Sequence, residues 1–203
     1  MTRNATPPPA TRTIVLASSS PYRHELLQRL GLPFNWATPA VNEEPLAGEN
    51  PVELVQRLAR SKAMSLAGKF PGALIIGSDQ VAVLPDGNIL NKPGGHAEAR
   101  LQLQSCSGHM VRFQTGLCLL DTNSAQIQMD VVECEVFFRR LLDAEIERYL
   151  LAERPYDCAG AFKSERLGVA LLSGMRLPDP SALVGLPLIA LAEMLRRAGV
   201  LIP

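Results

Sequence analysis

TIVLASSSPYRHELLQRLG, residues 13–31, decides the fold. Thr13–Ala17 is a short β-branched, apolar run of strand length that breaks off at three serines. Pro21 suits the first helical position and Ser20 the N-cap before it, and Leu26, Leu27 and Leu30 then recur at helical spacing up to Gly31. A strand, a polar turn and a helix in that order open an α/β unit.

Working outward, Phe34–Thr38 reads as a second strand, followed by a loop from Pro39 to Asn50. Asn50-Pro51-Val52-Glu53 matches a capping box and predicts a helix to about Gly68, with Leu54, Val55, Leu58 and Ala59 facing inward. Ala73–Ile76 reads as a buried strand that ends at Gly77-Ser78-Asp79-Gln80, and Pro85-Asp86-Gly87 predicts a hairpin turn between Val81–Leu84 and Asn88–Leu90. A helix is expected from about His96 to Ser105. Strands follow over His109–Leu120 and Gln126–Phe138, and their partial alternation predicts cover on both faces. Asp143–Ala152 reads as an amphipathic helix, Gly168–Leu172 as a strand and Leu186–Ala198 as a closing helix. The expected architecture is one α/β domain, residues 13–203, with a mixed, twisted β-sheet flanked by helices. Met1–Arg12, with three consecutive prolines, reads as a disordered N-terminal tail.

The 203 residues are 47% hydrophobic and 20% charged, as in a soluble globular protein. Twenty Lys and Arg balance twenty Asp and Glu, which excludes a polycation built to bind nucleic acid. The apolar stretch Ala182–Leu195 is interrupted by Gly185, Pro187 and Glu193 and falls short of the roughly 20 residues a bilayer needs, and the N-terminus lacks a signal-peptide core. A cytoplasmic protein without a membrane partner is therefore expected. Cys106, Cys118, Cys134 and Cys158 form no C-x-x-C and read as buried free thiols. Among the bases sixteen are Arg and four are Lys, at Lys62, Lys69, Lys92 and Lys163. Where Arg is so preferred, a lysine marks a place that needs a compact ammonium group.

Several groups could carry chemistry. Ser18-x-Ser20-x-x-Arg23 lies between a strand and a helix N-terminus, where unpaired backbone N–H groups favour an anion; the same spacing also serves a plain serine cap with a solvated arginine. Asp79, at the end of a buried strand, can hold a divalent metal or activate water, or close a turn. Glu43 and Glu44 can add a carboxylate from their loop, or stay solvated. Lys62 sits near the apolar face of its helix, where a lysine often snorkels to water. His24, His96 and His109 have no ligand spacing, so any metal would be a hard cation on oxygen ligands, Mg²⁺ or Mn²⁺ shared with a phosphate substrate. No Walker A loop, G-x-G-x-x-G or G-x-S-x-G occurs.

Leu16-Ala17-Ser18-Ser19-Ser20-Pro21-Tyr22-Arg23, Val41-Asn42-Glu43, Arg57-Leu58-Ala59 with Lys62-Ala63, Gly77-Ser78-Asp79-Gln80, Asn91-Lys92-Pro93, Ala159-Gly160-Ala161-Phe162-Lys163-Ser164-Glu165 and Leu183-Val184-Gly185-Leu186-Pro187 together resemble the Maf family of nucleoside triphosphate pyrophosphatases. The resemblance runs in order from residue 14 to about 198 and implies a Maf/Ham1-like fold. Ser-Asp-Gln and Phe-Lys-Ser-Glu resemble the branch that acts on 7-methyl-GTP. The resemblance implies cleavage between the α- and β-phosphates, a divalent cation (Mg²⁺ or Mn²⁺) and a homodimer. It implies Asp79 as the acceptor of a proton from water, Glu43 as its acidic partner near the metal, and Lys62 and Lys92 as a phosphate clamp. Ser18, Ser20 and Arg23 would cradle the phosphates, and Tyr22, Gln80 and Glu165 would select the base. Those three side chains suit a methylated, cationic guanine: Tyr22 by cation–π stacking, Glu165 by accepting from N1–H and N2–H, Gln80 by offering a donor and an acceptor. Asn42, Asn91 and Arg166 depart from the family's usual Asp, Gly and Gly, leaving Glu44 to make up for the lost carboxylate and setting a charge beside Glu165. The alternatives are a pyrophosphatase for dTTP, UTP or a deaminated purine, and a non-catalytic nucleotide-binding regulator of septum formation.

Overall fold

Asn50 caps the helix that shapes this molecule. Its side chain accepts from the Glu53 N–H at 3.0 Å while Glu53 accepts from the Asn50 N–H at 3.0 Å, the expected capping box, and α2 runs over Pro51–Ser65. The computed structural model describes residues 12–203. The expected N-terminal tail therefore lies outside the described residues except for Arg12, whose guanidinium pairs with Asp121.

β1 (Ile14–Ala17) leads through Ser18-Ser19-Ser20 into α1 (Pro21–Gln28), and β2 (Asn35–Ala37) precedes α2. Then come β3 (Leu74–Val83), β4 (Ile89–Leu90), α3 (His96–Cys106), β5 (Met110–Asp121), β6 (Ile127–Phe138) and α4 (Asp143–Glu153). Two 3₁₀ turns, Ala159–Ala161 and Leu167–Leu171, lead to β7 (Leu172–Arg176), α5 (Pro180–Val184) and α6 (Leu188–Arg197). The strands form one mixed sheet in the order β2-β1-β3-β5-β6-β7, with β4 also on β3. β1 pairs in parallel with β2 and β3, and the remaining pairs are antiparallel.

α2 covers one face of the sheet, packing Leu54, Val55, Leu58, Ala59 and Ala63 against Val15, Ile75, Val81, Val83 and Cys118. It lies so close that a Cβ on Gly77 would stand 2.0 Å from the Ala59 carbonyl oxygen, and one on Gly116 2.3 Å from that of Val55. The other face carries α1 and α6 over Leu16, Ile76 and Leu117, and α3 and α4 over Ala82, Phe113 and Val136.

The structure corrects three expectations. β3 does not stop at Ile76 but continues through Gly77–Gln80 to Val83, because β5 pairs with it without a break from Leu74↔Asp121 to Val83↔Arg112; Gly77 is there for the close approach of α2, not for a turn. β5 is covered on both faces, but β6 is half-exposed over much of its length because β7 reaches only Glu135–Phe138. Gly168–Leu172 is mostly a 3₁₀ turn, with the strand beginning at Leu172. The expected closing helix forms as α6, and α5 precedes it across Gly185, whose φ of 117° no ordinary side chain adopts easily.

Candidate active site

β1 gives its last partner to β3 at Ile76, and β4 joins the same edge only at Ala82. β5 occupies the opposite edge throughout. Gly77–Val81 therefore have a strand on one side only, and beyond the carboxyl end of β1 a cleft of about 400 Å³ opens, the position where α/β sheets commonly take ligands. Side-chain alternation along β3 sends Asp79 to the α2 face and Ser78 and Gln80 to the other.

On the α2 side, Lys62 does not snorkel to water. It is 5% exposed, and its Nζ donates to Asp79 Oδ1 at 2.6 Å and pairs with Glu43 Oε1 at 2.7 Å. Asp79 is itself 7% exposed, whereas Glu43, on the Pro39–Asn50 loop, has a side chain 56% exposed. Burial pushes the Glu43 carboxyl upward, but the Lys62 hydrogen bond and the charges of Lys62, Lys92 and Arg23 outweigh it and hold the group below the usual carboxylate range. Burial draws the Arg23 guanidinium down, opposed by the carboxylates of Asp79 and Glu43. Its Nε donates to the Gly185 carbonyl at 2.8 Å, which leaves the two terminal nitrogens for an anion. Lys92 is exposed on the cleft wall, in a loop tied down by Gln102 Nε2 on the Asn91 carbonyl (3.1 Å) and by the Gly94 N–H on that of Tyr156 (2.9 Å).

The serines do both things their spacing allows. Ser20 Oγ accepts from the Arg23 N–H at 3.4 Å and so caps α1, and Ser18 Oγ accepts from the Ser20 N–H at 3.1 Å. Each hydroxyl keeps its own hydrogen, and both residues line the cleft at a helix N-terminus. Glu44 does not replace the missing carboxylate of Asn42: its N–H donates to Asn42 Oδ1 at 3.0 Å, and it lies outside the cleft lining. Among the described residues no three His, Cys, Asp or Glu side chains are grouped to hold a metal. Glu43 and Asp79 share one cation, the Lys62 ammonium, and their oxygens are the ones that would hold a small hard ion here.

The cleft is also lined by Tyr22, Gln80, Asp157, Cys158, Phe162 and Glu165. Lys163 holds its ammonium 5.6 Å from the centre of the Tyr22 ring and donates to the Glu153 carbonyl at 3.3 Å. Arg166 is exposed and stands outside the cleft lining, so it does not crowd Glu165. Gln80 offers less than its residue type allows, since its Nε2 is taken by Thr115 Oγ1 (2.9 Å) and the carbonyls of Ala182 (2.8 Å) and Leu183 (3.1 Å). Only its oxygen remains for a ligand. Asp157, Cys158 and Thr115 had no sequence signal, because their places depend on a 3₁₀ turn and on strand register. Cys158 differs from the three buried thiols in being half-buried at the cleft, with burial raising its pKa to about 12.

The family model described as "Maf-like protein" matches residues 13–198. A 7-methyl-GTP pyrophosphatase from Nitrosococcus oceani is 53% identical over 95% of this chain and 96% of its own length. One of the same name from Pseudomonas aeruginosa is 55% identical over 94% of this chain and 98% of its own. Among solved structures, a nucleoside-triphosphatase / dITP/XTP pyrophosphatase from Mycobacterium abscessus aligns with 92% of this chain and 95% of its own at 17% identity and a TM-score of 0.45.

Proposed function

The chain belongs to the Maf-like protein family, and from that premise we propose that it hydrolyses 7-methyl-GTP to the nucleoside monophosphate and pyrophosphate. It is a nucleoside triphosphate pyrophosphatase, as its relatives of more than 50% identity are. The observation that carries the reading is the Lys62 ammonium, which lines the cleft with Glu43, Arg23, Lys92 and the two serines and is also bonded to the buried Asp79, just outside that lining. Phosphoryl transfer needs charge neutralisation and positioning above all, and three cations beside hydroxyl donors supply both.

In this reading Arg23, Lys92, Ser18 and Ser20 seat the phosphate chain. A triphosphate competes with Asp79 for the Lys62 ammonium, and the freed carboxylate oxygen accepts the proton of the attacking water. As the water oxygen bonds to phosphorus, the bridging P–O bond breaks and pyrophosphate leaves. A Mg²⁺ or Mn²⁺ ion would be held by Glu43 and Asp79 and, when bound, neutralises charge on the phosphate oxygens. At the other end Tyr22 offers an aromatic face to a cationic 7-methylguanine, an attraction of about 0.5 to 2 kcal/mol, and Glu165 opposes its charge.

Pyrophosphate release measured with Mg²⁺ or Mn²⁺ across 7-methyl-GTP, GTP, ITP, dTTP and UTP tests this. The wild type is expected to prefer 7-methyl-GTP, and Asp79→Asn to lose roughly a thousandfold in kcat. Equal release by wild type and variant would overturn the catalytic role, and a preference for dTTP or UTP would overturn the substrate. Glu165→Gln should lower activity on 7-methyl-GTP more than on GTP.

A further inference from the structure

Gln80 and Thr115 stand directly opposite each other on β3 and β5, on the face that carries α5. The amide nitrogen of Gln80 lies 2.8 Å from the Ala182 carbonyl and 3.1 Å from that of Leu183. Main-chain carbonyls only accept, so the nitrogen must point at α5 and the amide cannot be turned over. Thr115, fully buried, completes the lock: Oγ1 accepts from Gln80 Nε2 at 2.9 Å and donates its own hydrogen to the Ala182 carbonyl at 2.9 Å. One position back on the same face, Ser78 Oγ lies 2.8 Å from the Gly116 carbonyl and 2.9 Å from that of Gly185, the same carbonyl that takes Arg23 Nε. β3 and β5 thus grip the end of α5 through neutral hydrogen bonds, and what remains of Gln80 for the cleft is Oε1, which has no partner among the described residues.

We propose that Thr115 is a positioning residue for base recognition, which by locking the Gln80 amide against α5 presents Oε1 to the cleft as an acceptor only. Resting on the nucleotide reading above, this makes the base end of the cleft a reader of donors, because the Glu165 carboxylate also accepts. Guanine carries two adjacent donors, N1–H and the 2-amino group. Hypoxanthine keeps only N1–H, and adenine presents an acceptor at N1. The selected class is guanine nucleotides, with the N7 substituent sensed elsewhere. Thr115 does not line the cleft, so its effect on selectivity has to pass through Gln80.

The test compares kcat/KM for GTP and ITP, which differ only in the 2-amino group. The wild type should favour GTP by roughly tenfold. In Thr115→Val the preference should shrink at least about fivefold, expressed in KM with kcat largely kept, and Thr115→Ser, which retains the hydroxyl, should restore it. A Thr115→Val enzyme that keeps the wild-type ratio, or that loses equally on both nucleotides, overturns the proposal. Should Thr115→Val fail to fold, Gln80→Met decides, since a retained GTP preference without the amide is equally fatal. A wild type that releases pyrophosphate without preferring GTP to ITP overturns this inference alone, whereas one that hydrolyses no nucleoside triphosphate overturns the pyrophosphatase reading beneath it.

Discussion

Ser78, Asp79 and Gln80 are consecutive on one strand, yet the two faces they serve are built in opposite ways. Asp79 faces α2 and meets charge: a buried ammonium shared with Glu43, which reaches in from a loop and is more than half exposed. Ser78 and Gln80 face α5 and meet neutral carbonyls through hydrogen bonds of 2.8 to 3.1 Å in a buried or half-buried setting. The first arrangement can be redistributed, because a phosphate offers Lys62 the same charge-assisted bonds that Asp79 and Glu43 do. The second cannot, because a Ser78, Gln80 or Thr115 donor turned away from these carbonyls would itself be left unpaired in a buried or half-buried setting, at a cost of about 1–3 kcal/mol. In the proposed reading, chemistry is placed where partners exchange, and recognition where they do not.

Removing the shared ammonium should break this contrast most severely. Lys62→Met leaves Asp79 buried without its partner, and is expected to lower kcat/KM for any nucleoside triphosphate at least about a hundredfold and stability by about 3 kcal/mol, read by pyrophosphate release and by urea denaturation. A wild-type rate in that variant would detach Lys62 from the reaction. Gly77→Ala attacks the same pair indirectly. Its Cβ would meet the Ala59 carbonyl oxygen at 2.0 Å, so α2 must back away from the sheet and carry Lys62 from Asp79. A loss of about 2–3 kcal/mol with a matching fall in activity is expected, while the GTP-to-ITP ratio, set on the other face, should hold. Retained activity despite the lost stability would show that the Lys62–Asp79 distance is not critical.

The smallest effect concerns the loop that carries Glu43. Arg57 holds the Glu49 carboxyl down at about 2, against an ordinary 4.5, through bonds of 2.6 and 2.8 Å. A carboxylate whose folded pKa is depressed stabilises the fold above its unfolded pKa, and that contribution is lost as pH falls through the folded value. Stability should therefore decline from about pH 4.5 toward pH 2. Asp121, lowered from 3.8 to about 2 chiefly by Arg12, adds to the same window. Glu49→Gln should be less stable than the wild type at pH 7 and lose less on acidification, as measured by unfolding at a series of pH values. Identical pH profiles would show that the Arg57 pair does not anchor the loop.

The site was legible where a residue's task depends on its local chain. Ser20 before Pro21 and Asn50 before Glu53 are capping signals read within four residues, and both caps form. Arg23 and the serines follow directly from the strand-turn-helix order. Lys62 stood out through the scarcity of lysine, but its helix face alone could not distinguish a snorkelling side chain from a buried one. Gly77-Ser78-Asp79-Gln80 looks like a turn because Gly, Ser and Asp favour turns. It remains a strand because ten consecutive pairings with β5 outweigh that local preference.

By itself the sequence determined the α/β class, the order of most elements, the capped helices and the residue types available for phosphate chemistry, all of which rest on periodicity and short-range hydrogen bonding. Only the tertiary structure decided where β1 stops beside a longer β3, and hence where the cleft opens. It alone decided that α2 approaches closely enough for Lys62 to join Asp79 and Glu43, and that register sets Thr115 opposite Gln80. Those outcomes depend on contacts between segments tens to more than a hundred residues apart, such as Gly185 with Ser78 and Arg23. Close packing and the need to pair every buried polar group select them, and neither acts on a segment alone.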